Sequence, residues 1–269
     1  MNSALLQRLQ FQQDTPFARA IGLELLGWSH GTARTRLPLS RQTCTSDSDA
    51  QTHPWALIGL ADHALSYAYP TLIPPDSGLS TLDLRIDFGP AAIGAVTATT
   101  TVHHHTPHHG MATLTATDEA QQATLAASAL FNFRTFPGGG ELGSHCRQIF
   151  ENDHPGPFAA FLGLHQSDSE TWLEGAGRRV IGFEGLPALH GGVVGALLAA
   201  ACDRIAPAGM RLTTLHIRFL RPAGTTRLNA SAAAVRAGRS AAFISATCWH
   251  EKQAPVADAQ ATYTPVEIG

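Results

Sequence analysis

The chain has little charge and no long apolar run. Only 14% of its 269 residues are charged, and the formal net charge is −3. Neither sign dominates, so there is no electrostatic case for nucleic acid or an anionic membrane as partner. The longest apolar run, around Val193–Ala201, is too short to cross a bilayer. The opening segment, MNSALLQRLQFQQDTPFARA, is polar and amphipathic and lacks the apolar centre of a secretory signal, which predicts a cytoplasmic protein. Cysteine is sparse: Cys44, Cys146, Cys202 and Cys248 are scattered with no CxxC pair, which argues against a disulfide framework or a zinc ribbon and for reduced thiols. Against these absences stands a 44% hydrophobic content, ample for a sizeable core.

Internal repetition organises the rest. TPFARAIGLEL (15–25) echoes GPFAAFLGLHQ (156–166), and THPWALIGLADHALSYAYP (52–70) echoes LHGGVVGALLAAACDRIAP (189–207). STLDLRIDFGPAA (80–92) echoes TTLHIRFLRPAG (213–224), and TATTTVHHHTPHHGMATLTATD (97–118) echoes NASAAAVRAGRSAAFISATCW (229–249). The order is the same in both halves. The spacing between matched positions drifts from 141 (Pro16/Pro157) through 137 (His53/His190) to 133 (Arg85/Arg218), as small loop deletions would produce. Two repeats follow, 1–136 and 157–269, joined by a Gly-rich polar linker over 137–156. Each reads as a short helix, a strand or two, one long apolar helix starting near Pro54 or Gly191 and ending before Pro70 or Pro207, and then a run of alternating strands. The class is α+β: a single helix, apolar nearly all round and therefore buried, wrapped by an antiparallel sheet, twice over.

The stretch LHGGVVGALLAAACD (189–203) poses the chemical question. Glycines at a helix start leave backbone N–H groups open to a ligand, and the helix dipole favours developing negative charge there. Yet the run carries no acid or base until Asp203.

The runs HGGVVGALLAAACD, TTLHIRFLRPAG and VRAGRSAAFISATCW resemble hotdog-fold acyl-CoA thioesterases of the phenylacetyl-CoA type, across most of the second half and more faintly over residues 15–135. The resemblance implies a double hotdog. It also implies that one repeat supplies His-Gly at the helix start, with a glycine N–H polarising the thioester carbonyl. The other repeat would supply a carboxylate nine residues after its own histidine and a hydroxyl at the start of the next strand. The second half has His190 and Gly191, but Ala at 199; the first half has His53 followed by Pro54, which has no N–H to give, but keeps Asp62 and, 18 residues on, Ser80. The breaks are complementary. They predict one composite site, with Asp62 as base or nucleophile, Gly191 N–H as oxyanion donor, His190 orienting the thioester or shaping the turn, and Ser80 placing water or the carboxylate. Pro54 and Ala199 would face each other in a dead counterpart.

The resemblance further places Gly192 and Glu184 beside the substrate, and Arg236 and Arg239 near the phosphates of coenzyme A, to which Arg is suited. No cofactor is implied, coenzyme A being part of the substrate. The partner is a small acyl-CoA, and a homodimer of double hotdogs is the assembly the family allows. The histidine run VHHHTPHHG (102–110) invites a metal, but neighbours on a strand point to opposite faces; an exposed hairpin turn accounts for it, and no catalytic metal is expected. Three other readings stay open: a hotdog enoyl-CoA hydratase or dehydratase using His190 with Asp62; a non-catalytic acyl-CoA binder; and the medium-chain double-hotdog pattern, for which Asp203, Thr213 or Thr214, and Gln260 supply the residue types.

Overall fold

The computed structural model describes residues 15–46, 50–74, 77–135, 156–174, 180–183, 188–251 and 254–266. All of the proposed linker but Gly156 therefore falls outside the described residues. Alternating strands with one apolar face need a layer to cover them, and two long apolar helices provide it. The first half runs α1 (Pro16–Ala20), β1 (Glu24–Ser29), β2 (Thr32–Leu37), α2 (Pro54–Ser66), β3 (Ser77–Phe88), β4 (Val96–His105), β5 (His109–Thr117) and β6 (Ala123–Thr135). The second runs α3 (Phe158–Leu162), β7 (Leu164–Gln166), β8 (Thr171–Leu173), β9 (Ile181–Phe183), β10 (Ala188–Leu189), α4 (Gly191–Asp203), β11 (Met210–Phe219), β12 (Leu228–Ala237), β13 (Ala242–His250) and β14 (Ala257–Pro265).

Twelve strands form one sheet in the order β1-β2-β4-β5-β6-β3-β11-β14-β13-β12-β8-β7, while β9 and β10 pair separately. The halves meet where β3 and β11 pair antiparallel, Asp83 opposite Arg218 and Arg85 opposite His216. With the repeat spacing of 133 at this point, each of these pairs maps onto the other, so the seam lies on a pseudo-twofold axis. The histidine run lies on β4, the turn and the start of β5, with His103, His104, His105, His108 and His109 all exposed. Among the described residues no group of three or more His, Cys, Asp or Glu could hold a metal ion, and no helix is long and apolar enough to cross a membrane. Among the described residues, Cys44, Cys202 and Cys248 are buried.

The two long helices lie against the inner face of the sheet and against each other. They run antiparallel, as their contacts require. A Cβ built on Gly192 would lie 2.6 Å from Gly59 Cα, one on Gly195 would lie 2.7 Å from Ile58 Cγ2, and Trp55 at one end of α2 bonds Asp203 at the far end of α4. Glycine at 192 is thus a packing requirement, because any side chain would wedge the helices apart. Both helices are buried along almost their whole length. Their start signals are identical. His53 and His190 are N-caps in extended backbone, and each imidazole Nδ1 accepts the N–H two residues on, from Trp55 at 3.1 Å and from Gly192 at 3.0 Å. A ring nitrogen does here what a Ser or Asp oxygen does at most helix starts.

Candidate active site

The antiparallel crossing brings the middle of α2 to the N-terminus of α4. Asp62 projects from α2, 5% exposed, and His190 caps α4, 6% exposed. The Gly192 N–H donates to Asp62 Oδ2 at 2.8 Å and is shared with His190 Nδ1. Thr81, on β3, donates its hydroxyl to Asp62 Oδ1 at 2.7 Å. Both carboxylate oxygens are therefore held, one by each half of the chain. His190 Nδ1 lies 3.3 Å from Asp62 Oδ2. His63, the residue after Asp62 and 5% exposed, closes the cluster with its Nδ1 at 2.9 Å from His190 Nε2. Phe17 of α1 covers the His190 ring, centroid to centroid 4.5 Å.

Gly191 is the first residue of α4 and is only partly buried. Its N–H has no hydrogen-bond partner among the described residues, as expected for one of the donors a helix start leaves open. A Cβ built there would lie 2.6 Å from Asp62 Oδ2, so position 191 admits no side chain while the carboxylate is in place. An open N–H at the positive end of a 13-residue helix, next to a buried carboxylate, is an arrangement that can polarise a carbonyl and attack it.

Electrostatics follow from burial. Loss of water pushes the Asp62 carboxyl above the usual carboxylate range, although the Thr81 hydroxyl, the nearby His63 and the Gly192 N–H all pull it back. Burial pushes His190 down to about 3, so its imidazole is neutral at working pH and the His190–Asp62 contact is not an ion pair.

Residues 184–264 match the family model of the acyl-CoA thioesterase N-terminal domain. No curated protein sequence matches the chain. Solved structures do, at low identity and nearly full length. The tesB protein MAP1729c of Mycobacterium avium subsp. paratuberculosis is 12% identical with TM-score 0.64, covering 93% of this chain and 98% of that one. A hotdog-fold protein of unknown function from Alicyclobacillus acidocaldarius is 14% identical with TM-score 0.62, covering 96% and 98%. The 12:0-ACP thioesterase of Umbellularia californica is 10% identical with TM-score 0.58, covering 87% and 94%. The likeness shows a hotdog fold across nearly the whole chain.

Within this hotdog fold, the residues singled out from the sequence separate into two groups. Asp62, His190, Gly191 and Gly192 converge. Ser80 does not: it is exposed on β3, and the hydroxyl that reaches Asp62 is that of Thr81. Counting back by twos from the buried Leu84 and Ile86 lands on Ser80, but the register of β3 against β6 shifts between Thr81 and Asp83. That bulge turns Thr81 inward. Arg236 and Arg239 are exposed at the β12–β13 hairpin and make no contact with the Asp62 cluster among the described residues. Glu184 lies outside the described residues. Sequence reasoning missed His63. Its signal was present, a histidine beside the acid in an otherwise apolar helix, but its partner sits 127 residues away.

The pseudo-symmetric counterpart is differently furnished. Pro54 and Trp55 stand where the other site has Gly191 and Gly192. The Trp55 indole N–H donates to Asp203 Oδ2 at 2.8 Å, and the Tyr263 hydroxyl donates to Asp203 Oδ1 at 2.5 Å. The medium-chain set is not assembled, since Thr213 donates to the Thr262 carbonyl, Thr214 donates to Asp87, and Gln260 is exposed.

Proposed function

We propose that the chain hydrolyses an acyl- or aryl-acyl-coenzyme A thioester to the free acid and coenzyme A, at one composite site per chain. The observation that carries this reading is the 2.8 Å bond from Gly192 N–H to Asp62 Oδ2. It joins the acid of the first half to the anion-favouring helix start of the second. Asp62 takes a proton from water as the water oxygen attacks the thioester carbon, or attacks that carbon itself. Gly191 N–H and the α4 dipole stabilise the oxyanion. In the first route collapse breaks the C–S bond and the departing thiolate takes that proton from Asp62; in the second, collapse releases the thiolate and leaves an Asp62–acyl anhydride, which water hydrolyses to the free acid and the Asp62 carboxylate, the released proton going to the thiolate. Thr81 keeps the carboxylate aimed. Arg236 and Arg239 are our candidates for the coenzyme A phosphates, and the buried thiols of Cys202 and Cys248 fit a reducing, cytoplasmic setting.

Hydrolysis is favoured over hydration of an enoyl thioester by the state of His190. Both its nitrogens are engaged, one with Gly192 N–H and one with His63, so neither is available to exchange a proton with a β-carbon. The test is Asp62→Asn, assayed for coenzyme A release from a panel of aliphatic and aryl-acyl thioesters. Loss of turnover by at least about 100-fold, the scale of removing one catalytic group, is the expected result. Full activity would overturn the proposal, and coenzyme A ester binding without turnover in the native chain would make it a binding protein.

A further inference from the structure

We infer that His63 is a positioning residue for the Asp62–Gly191 site, acting by locking His190 in the tautomer that carries its proton on Nε2. The inference rests on the site proposed above and adds a residue to it. A backbone N–H can only donate, and that of Gly192 points at His190 Nδ1 from 3.0 Å. Nδ1 is therefore an acceptor and carries no proton. The ring is buried and neutral, so its one proton is on Nε2. Nε2 faces His63 Nδ1 at 2.9 Å, and His63 Nδ1 must accept. A chain of three groups follows, with Gly192 N–H donating to His190 Nδ1 and His190 Nε2–H donating to His63 Nδ1.

The alternative tautomer has a definite cost. A proton on His190 Nδ1 would face the Gly192 N–H, and it would also face Asp62 Oδ2 at 3.3 Å. It would break the cap of α4 and occupy the carboxylate oxygen that the chemistry needs. Holding the proton on the far nitrogen prevents both. His63 reaches this position because it follows Asp62 on α2: one helix delivers the acid to the start of α4 and, one residue later, the acceptor that sets the state of the capping imidazole. Burial of all three side chains shuts out the water that would otherwise satisfy Nε2.

The experiment reads the tautomer directly and the activity separately. In protein labelled at histidine nitrogen, two-bond nitrogen–proton correlation spectra distinguish protonated from unprotonated ring nitrogens. The native protein is expected to show His190 protonated on Nε2 and bare on Nδ1; a protonated Nδ1 overturns the inference whatever the enzyme does. His63→Phe keeps a planar ring but removes the acceptor. It is expected to bring a protonated Nδ1 form into view and to lower kcat roughly ten- to a hundredfold, as loss of the outer partner of an oriented histidine does, with KM little changed. His63→Asn, whose amide oxygen can accept from Nε2, is expected to restore both the tautomer and most of kcat. An unchanged tautomer and unchanged kcat in folded His63→Phe overturn it. So does His63→Asn behaving no better than His63→Phe. Absence of thioester hydrolysis in the native chain would count against the function alone, since the spectra test the tautomer independently.

Discussion

Asp62 shows how the site works against the stability of the fold. Its carboxyl is raised by burial above the value it has in the unfolded chain, so the native state holds that proton to higher pH. The stability it contributes is complete below the unfolded pKa and is lost as pH rises through the folded one. At neutral pH the charged form is thus a native-state liability. Asp62→Asn is predicted to raise Tm at pH 7 and to flatten the dependence of Tm on pH while abolishing turnover; calorimetry across pH 4–8 checks the sign. Thr81 separates the two hydroxyls in the same way. Thr81→Val removes a hydrogen bond to a charged group, worth about 1.5–3 kcal/mol, and is predicted to depress kcat; Ser80→Ala, on the exposed side of β3, is predicted to leave it unchanged. Asp62, His190, Gly191 and Gly192 were singled out through the family resemblance, and the fold brings them together. The Thr81 hydroxyl was not singled out, because a bulge moves strand phase by one residue and leaves no mark in composition.

At the scale of elements, the contact between α2 and α4 is the joint on which the site depends. Glycine at 192 meets the backbone of Gly59 where the helices cross, and Gly192→Ala would press a methyl to 2.6 Å from Gly59 Cα. Overpacking of this kind typically costs about 1–3 kcal/mol. The predicted result is a lower denaturation midpoint together with reduced kcat, because Asp62 and α4 move apart; urea unfolding and steady-state kinetics on the same preparation test both. The histidine caps make a second prediction. His53 is pushed by burial down to about 4. Its folded pKa lies below the unfolded one, so the unfolded state takes up the proton first and stability falls as pH drops from about 6.5 towards 4. His53→Asn retains a capping acceptor and has nothing to protonate, so the midpoint of acid unfolding is expected to move to lower pH, as followed by circular dichroism. The helices themselves were readable as unbroken apolar runs, and the caps were not, since histidine is not among the usual cap residues.

At the scale of the molecule, the pairing of β3 with β11 builds one sheet from two repeats and sets up two pseudo-symmetric places where an acid could meet a helix start. They are not equivalent. One has Asp62 against Gly191 and Gly192; the other has Trp55 and Tyr263 bonded to Asp203. One productive site per chain is the expectation. Isothermal titration with a non-hydrolysable acyl-CoA analogue should give a stoichiometry near one for the native chain and no loss of stoichiometry in Asp203→Asn; two equal sites would contradict the division of labour. Arg236→Ala with Arg239→Ala is predicted to raise KM for coenzyme A esters with kcat unchanged, if that hairpin meets the phosphates.

By itself the sequence determined the class of the fold and the long buried helices, because hydrophobic period and the placement of glycine and proline are local properties; the complementary gaps in the two halves were read against the family resemblance. Only the tertiary structure decided which groups touch Asp62. That depends on a strand bulge, on two glycines that let helices 130 residues apart in sequence come into contact, and on which nitrogen of a buried imidazole faces a backbone N–H. Each of these is a relation between distant segments, set by packing, and no single segment carries it.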